Sequence, residues 1–151
     1  MKVNYQEGST FLVPLKDGGF ARGVIARVAP KGKIAFGYFF APRLPTSEGV
    51  VFDAIKPEEA TLTIFFGDLG LVKGHWPIVG KMVDWDRARW SLQDTVRRDP
   101  LGKLRPMLVR YDDNDPSKVL SETAIDNDNS LPDDGLAGYH YVEARLSKLL
   151  A

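Results

Sequence analysis

Residues 11–28 have the sequence FLVPLKDGGFARGVIARV, a pattern typical of a β-hairpin. Apolar residues alternate with others before the turn, and a second apolar run follows it. Between them, Asp17-Gly-Gly supplies the positive φ angles that a tight turn between twisted strands requires. Pro14 donates no ladder hydrogen bond, so it places the first strand at a sheet edge or a bulge. The hairpin residues that we expect in the core are Phe11, Val13, Leu15 and Phe20.

The rest of the chain favours further short strands divided by Gly and Pro turns. The strands that we expect cover residues 34–40, 60–66, 71–72, 76–79, 90–95, 106–111 and 117–125. One further segment, residues 56–59, is typical of a single helical turn. This pattern predicts a mainly β (α+β) domain, an antiparallel, strongly bent sheet or a small barrel-like domain, with residues 1–151 as a single domain.

The C-terminal residues have the one convincing helical period of the chain. Asp133 and Asp134 precede it and suit an N-cap that favours the helix dipole. The apolar positions that recur at helical spacing are Leu136, Tyr139, Val142, Leu146, Leu149 and Leu150. The sequence therefore predicts a C-terminal amphipathic helix that caps the β domain.

Length and composition limit the class of protein. The chain has 151 residues, 44% of them hydrophobic, which is the size of one ordinary domain with a real core. It has no cysteine, which excludes disulfides, thiolate zinc sites and a cysteine nucleophile. No stretch approaches the ~18 uninterrupted apolar residues of a membrane span. We expect a soluble, cytoplasmic protein that makes no membrane contact.

Charge is distributed unevenly along a chain whose net charge is zero. Residues 1–111 hold 17 Lys or Arg and 11 Asp or Glu, a balance of +6. Residues 112–143 hold nine acidic groups and Lys118 as their single Lys or Arg, a balance of −8. The acidic segment is either a solvated surface or an interaction surface, and the sequence leaves both open.

No motif in the chain indicates catalysis or a bound metal. His75 and His140 each lie beside an aromatic residue, with no nucleophile motif near them. Asp126-Asn-Asp-Asn-Ser130 begins like a calcium-binding EF-hand loop. It then lacks the Gly and Glu that such a loop requires, since Leu131 and Ala137 stand at those positions. We expect no enzyme activity, no metal and no cofactor.

Nucleic-acid binding is an alternative, because small β-barrels bind strands with aromatic residues set among basic ones. Against this interpretation, the pI is about 6.7 rather than above about 9, and the acidic segment would repel phosphate. We therefore do not expect nucleic acid as the main ligand. The residues that would form such a patch are Arg87, Arg89, Trp90, Arg97, Arg98, Lys103 and Arg105.

Two motifs carry a family resemblance. Residues 11–25 follow the pattern Phe-Leu-Val-Pro-Leu-x-Asp-Gly-x-Phe-Ala-x-Gly-x-Ile, residues 74–80 follow Gly-x-Trp-Pro-Ile-Val-Gly, and Trp85 and Trp90 come after them. Over residues 8–112 the chain resembles the immunity protein 26 family of bacterial polymorphic toxin systems. The resemblance implies a small, β-rich, cytoplasmic binding protein that neutralises a cognate toxin by occluding it. It brings no catalytic residues, and the tryptophans are most simply core residues.

A specific contact follows if the toxin is a nuclease, because the substrate site of a nuclease is basic. The acidic segment would then occupy that site as a mimic of phosphate, and complementary charge would speed association. The alternative function is a small β-barrel nucleic-acid-binding or regulatory module. The candidate partner-binding residues are Asp112, Asp113, Asp115, Asp126, Asp128, Asp133 and Asp134.

Overall fold

A computed structural model describes residues 4–126 and 130–151 of the chain. The described residues form nine strands, a 3₁₀ turn at Pro57–Glu59 and two α-helices. The strands are β1 (Ser9–Pro14), β2 (Phe20–Val28), β3 (Ile34–Leu44), β4 (Leu62–Gly67), β5 (Ile78–Lys81), β6 (Thr95–Arg97), β7 (Met107–Asp112), β8 (Asp115–Ala124) and β9 (Leu136–Ala137). The helices are α1 (Leu69–Val72) and α2 (Tyr139–Leu149). None of the described helices is long and apolar enough to cross a membrane.

The strands form two sheets. The larger has six strands in the order β5-β1-β2-β3-β4-β9, antiparallel except for the β4–β9 pair. The smaller has three antiparallel strands in the order β6-β7-β8. The prediction of a mainly β fold with a C-terminal helix is therefore confirmed. Neither sheet closes into a barrel, so the barrel-like form of that prediction is not the one adopted.

The opening hairpin forms as the sequence predicts. β1 pairs with β2 from Thr10↔Val24 to Pro14↔Phe20. Gly19 has a φ of 77°, and a Cβ built there would lie 2.5 Å from the Leu44 carbonyl oxygen. The turn therefore requires glycine for its conformation and for space. Of the four predicted core residues, Phe11, Val13 and Leu15 are buried. Phe20 is partly buried and packs against a second hydrophobic cluster, on the opposite face of the sheet from Phe11.

The six-stranded sheet is buried on both faces. On β3, Phe39 lies on one face and Phe36 and Tyr38 on the other. The first face is covered by α2 and by Trp76, which is fully buried. The second face is covered by the loops that carry Phe52, Ile55 and Trp90. Each face of this sheet therefore carries its own hydrophobic cluster.

Two strand predictions are wrong in the middle of the chain. Residues 90–94 form no strand, and the strand begins at Thr95. Trp90 instead follows a turn in which its N–H donates to the Asp86 carbonyl, and its ring is buried beside Tyr38. Leu71 and Val72 belong to α1, where both N–H groups donate to the Asp68 carbonyl. A helix of four residues is too short to show a helical period in the sequence.

The C-terminal helix is confirmed, but it begins later than the aspartates predict. Its N-cap is Gly138, which makes no side-chain cap. Leu136 and Ala137 pair instead with Phe65 and Phe66 of β4 as the short strand β9. The predicted N-cap role of Asp133 and Asp134 is therefore wrong, because β9 separates them from the helix.

Candidate partner-binding site

The candidate site is the three-stranded sheet, the most exposed part of the β structure. Every residue of β8 from Ser117 to Ala124 is exposed. Within the described residues, β8 forms a ladder with β7 alone. The outer edge of β8 thus presents backbone groups and side chains that the fold itself does not use.

Asp113 lies in the turn between β7 and β8 and is held by two arginines. Its Oδ1 accepts a hydrogen bond from Arg27 Nε at 2.8 Å, and its Oδ2 accepts one from Arg87 Nη1 at 2.8 Å. Partial burial favours a higher pKa for Asp113, but the hydrogen bonds and charges of Arg27 and Arg87 outweigh it and lower the pKa. The carboxylate therefore stays ionised and fastens the hairpin turn to the larger sheet.

Arg27 is the buried partner in this contact and was not predicted from the sequence. Its side chain is only 3% exposed. Besides Asp113, it donates to the carbonyls of Ala26, Trp90 and Arg87 at 2.7, 2.9 and 3.1 Å. Four acceptors satisfy the guanidinium, which is the condition for burying such a charge. The sequence indicates this position only by placing a charged residue, Arg27, inside the apolar run of residues 24–28 in β2.

Asp112 and Asp115 lie at the two ends of the same turn, and each accepts a hydrogen bond from a backbone N–H group near it. The Oδ1 of Asp112 accepts the Asn114 N–H at 2.8 Å, and the Oδ1 of Asp115 accepts the Ser117 N–H at 3.0 Å. The side-chain and backbone hydrogen bonds of Ser117 lower the pKa of Asp115. Among the described residues, neither carboxylate forms an ion pair. The charges of Lys118 and Lys31 also lower the pKa of Asp115. A partner that contacts these two carboxylates displaces no arginine.

Three further candidates, Asp126, Asp133 and Asp134, lie elsewhere around the three-stranded sheet. Asp126 lies 3.8 Å from Arg105, and Asp133 pairs with Arg98. Asp134 accepts hydrogen bonds from Thr95 Oγ1 at 2.8 Å and from the Tyr111 hydroxyl. Burial and the Asp134 contact together raise the pKa of Tyr111, so its hydroxyl remains a donor. Asp128 lies outside the described residues.

The candidate aspartates do not form one patch. The turn that holds Asp112 and Asp115 is at one end of the β7–β8 hairpin, and Asp126 follows the other end, where Ile125 N–H donates to the Pro106 carbonyl. Asp133 and Asp134 lie beside β6, on the opposite side of the sheet from β8. The binding role of these residues stays a prediction, and the fold distributes them around the rim of the sheet.

The acidic segment and the basic body neutralise each other in space. Several arginines from the positive part of the chain face carboxylates of the negative part. The pairs are Arg27 and Arg87 with Asp113, Arg97 with Glu122, Arg98 with Asp133, and Arg105 with Asp126. The charge that is uneven along the sequence is therefore more balanced on the surface, where these basic and acidic side chains lie next to each other.

This pairing also affects the residues suggested for nucleic-acid binding. Arg89 faces Glu58 at 3.4 Å, and Arg87, Arg97, Arg98 and Arg105 make the pairs given above. Trp90 is 3% exposed and packs against Tyr38 and Trp85, so it offers no face to a base. In the described part of the chain, Lys103 is the cation of this set that makes no ion pair.

The histidines do not form a site. His75 is exposed with its ring 5.7 Å from that of Tyr139, and His140 Nδ1 lies 3.2 Å from Glu143 Oε1. Glu143 Oε2 accepts the indole N–H of Trp76 at 2.9 Å, so this carboxylate holds α2 on the core. Within residues 4–126 and 130–151, no group of three or more acidic or histidine side chains is arranged to bind a metal.

The comparison with family models identifies the family. Residues 6–105 match the model described as immunity protein 26, well over half of the 151-residue chain. The chain belongs to the immunity protein 26 family. No curated protein and no solved structure matches it.

The immunity protein 26 match ends just before β7. It covers β1 to β6 and the loop after β6, which include most of both hydrophobic clusters; Tyr5, Tyr111 and the cluster residues of β9 and α2 lie outside it. Trp76 and Trp90, which carry part of the resemblance, are buried core residues, and Trp85 is partly buried against Trp90. All the candidate aspartates lie beyond the matched region, so the match defines the scaffold and gives no information on their role.

Proposed function

We propose that this immunity-type protein binds a cognate bacterial toxin and neutralises it by occlusion, without catalysis. The observation that carries the proposal is the family match over residues 6–105. An immunity protein protects the cell that makes the toxin, so we expect this protein to act in the cytoplasm of that cell. Occlusion requires an exposed surface and no reactive group.

We propose the three-stranded sheet as the surface that meets the toxin. Its support is the exposure of β8 and the position of Asp112 and Asp115 in the adjoining turn, where neither carboxylate forms an ion pair with a described residue. If the toxin is a nuclease, these carboxylates are the strongest acidic candidates, since neither has to give up an arginine partner to meet a basic site. Asp113, Asp126 and Asp133 would contribute less, because each already faces an arginine.

Co-expression tests the function. The toxin to use is the C-terminal domain of the large secreted protein that we expect to be encoded beside this chain. Cells that produce the toxin domain should survive when this protein is co-produced, and the two should purify as one complex. Survival without a complex, or a stable complex with full toxicity, would contradict neutralisation by occlusion.

Charge removal tests the acidic contact separately. The double variant Asp112→Asn/Asp115→Asn should slow association with a nuclease toxin several-fold at low salt and flatten its salt dependence. The control is Asp17→Asn/Asp53→Asn, which removes two exposed carboxylates from other loops. Equal association rates for the two variants would reject the acidic contact while leaving toxin binding intact.

A further inference from the structure

The loop between β6 and β7 exposes two leucines at its tip. Every residue from Pro100 to Arg105 is exposed. Leu101 and Leu104 are 75% and 74% exposed, more than any other large hydrophobic residue in the described ranges. Single exposed apolar residues are common on protein surfaces and need no explanation. Leu101 and Leu104, however, lie three residues apart on one loop, and neither side chain contributes to the core.

The loop that carries these leucines is held in shape by Asp99. Its Oδ1 accepts the Leu101 N–H at 3.0 Å, and its Oδ2 accepts the N–H groups of Lys103 and Leu104 at 2.9 and 3.0 Å. The Gly102 N–H donates to the Asp99 carbonyl at 3.0 Å, with Gly102 at a φ of 68° that favours glycine. These backbone hydrogen bonds lower the pKa of Asp99, so the acceptor stays ionised. The backbone beneath both leucines is therefore ordered before any partner arrives.

A positive charge and a shallow depression lie beside the two leucines. Lys103 lies between them in sequence, is exposed and forms no ion pair with any described residue. Beside Leu104, a shallow depression is lined by Arg97, Arg98, Pro100 and Met107. The tip thus combines two apolar anchors, one free cation and a recess for an apolar side chain.

We propose that the loop of residues 99–105 is a docking element that inserts Leu101 and Leu104 into an apolar pocket of the toxin, with Lys103 facing an acidic group at the rim of that pocket. The inference rests on the proposed function and adds the anchor residues and the chemistry of the partner surface. Anchors of this kind bind well when they are fixed in advance, because less conformational entropy is lost on binding.

The position of the loop allows one toxin to meet both the leucines and the acidic turn. The loop precedes β7 and the turn with Asp112 and Asp115 follows it. The six residues of β7 span roughly 17 Å, since a strand rises about 3.4 Å per residue. A standard interface of about 800 Å² per partner is about 30 Å across, so both ends of β7 fit within one footprint.

A protein pocket suits this loop better than a nucleic acid does. A strand of DNA or RNA is bound by uncompensated cations and by aromatic rings on which bases stack. At this loop, Arg97, Arg98 and Arg105 already face carboxylates, and the exposed apolar residues are leucines. Leucine fills apolar pockets and offers no stacking surface, so we take a protein as the partner.

The test measures binding to a catalytically inactive toxin domain from the neighbouring gene. The variant Leu101→Ser/Leu104→Ser should raise Kd about 100-fold, mainly through faster dissociation, as the loss of two central anchors does. The control Leu69→Ser/Val72→Ser removes two exposed apolar residues, also three apart, from α1 and should leave Kd unchanged. Urea unfolding should show that each double variant is as stable as its parent to within about 0.5 kcal/mol.

Two further variants test the order of the loop and the charge of Lys103 separately from the apolar contact of the leucines. Asp99→Ala keeps both leucines but removes the acceptor of three N–H groups, and it should raise Kd about 10-fold with faster amide exchange at residues 101–104. Lys103→Glu should slow association at low salt several-fold, whereas Lys73→Glu, at an exposed lysine beside α1, should not.

The outcomes distinguish this inference from the proposed function. If the parent protein binds the toxin and Leu101→Ser/Leu104→Ser binds it equally well, the docking role is overturned and the proposed function stands. If the parent protein binds no toxin, both are overturned. If the loop variants lose salt-dependent retention on a DNA or RNA column while toxin binding is unchanged, the partner of the loop is a nucleic acid and the proposal is overturned.

Discussion

The two sheets of this protein differ in how much of their surface is buried. The six-stranded sheet carries a hydrophobic cluster on each face and is covered by α2 on one side and by loops on the other. The three-stranded sheet buries Thr95, Val96 and Val109 but leaves nearly all of β8 in solvent. The residues that build the two hydrophobic clusters belong mainly to the larger sheet, whereas the smaller sheet leaves one whole strand exposed, and we place the proposed contact there for that reason. The family match follows this division, since it ends before β7.

A few contacts join the two sheets. Arg27 of β2 reaches Asp113, and the ring of Tyr111 on β7 lies 4.6 Å from that of Phe65 on β4. The smaller sheet is therefore held to the larger one by an ion pair and an aromatic contact. Three predictions probe this division, beginning with the interior of the larger sheet.

Trp76→Ala should cause the largest loss of stability. The Trp76 ring is fully buried, stacks on Phe11 with centroids 5.7 Å apart and donates its N–H to Glu143. We expect the free energy of unfolding in urea to fall by about 3–5 kcal/mol. The matched control is Trp85→Ala, which removes a partly buried ring and should cost less than half as much. Equal losses would show that the core described for the larger sheet is wrong.

Arg27→Met should cause an intermediate loss, about 2–3 kcal/mol, because it leaves buried carbonyls without their donor. It should also speed amide hydrogen exchange in β7 and β8 more than in β1 to β4, since the tether to the smaller sheet is lost. The control Arg22→Met lies on the same strand, where the guanidinium donates to two carbonyls in more exposed surroundings. Uniform exchange changes in both sheets would contradict a local tether.

Asp113→Asn should have the smallest effect and one that depends on pH. The pKa of Asp113 is lowered in the folded protein, so its stabilisation is complete above the unfolded pKa of about 4 and is lost as pH falls through the folded value. The side chain is half exposed, which limits the loss at pH 7 to roughly 1 kcal/mol. Urea unfolding at pH 7 and at pH 2 should show this difference shrinking toward zero. A difference that grows in acid would refute the ion pair.

The sequence predicts the parts of this fold that depend on neighbouring residues. Alternation and turn chemistry predict the hairpin with Gly19. A run of apolar residues between turns predicts β3, and a helical period predicts the helix that contains Val142 and Leu146. It does not predict that β6, β7 and β8 form a separate sheet, because strand partners depend on long-range packing. The start of α2 was misplaced for the same reason, since the pairing of Leu136 with β4 is a tertiary contact.

The candidate site was predicted less completely than the fold. Composition shows the excess of acid after residue 111, but it cannot show that Arg27 meets Asp113 from 86 residues away. Among the described candidates, such pairing occupies Asp113, Asp126 and Asp133 and leaves Asp112 and Asp115 without an arginine. The sequence likewise does not indicate that Leu101 and Leu104 are exposed, because leucine is most often a core residue.

We propose that the toxin meets the three-stranded sheet and its loops rather than the larger sheet. Amide hydrogen exchange measured by mass spectrometry, with and without the inactive toxin domain, distinguishes the two surfaces. We predict that complex formation slows exchange in residues 99–105, in the turn at 112–115 and in β8, and leaves β5 and α1 unchanged. Protection confined to β5, α1 or the exposed face of α2, with none in β8 or in residues 99–105, would contradict it.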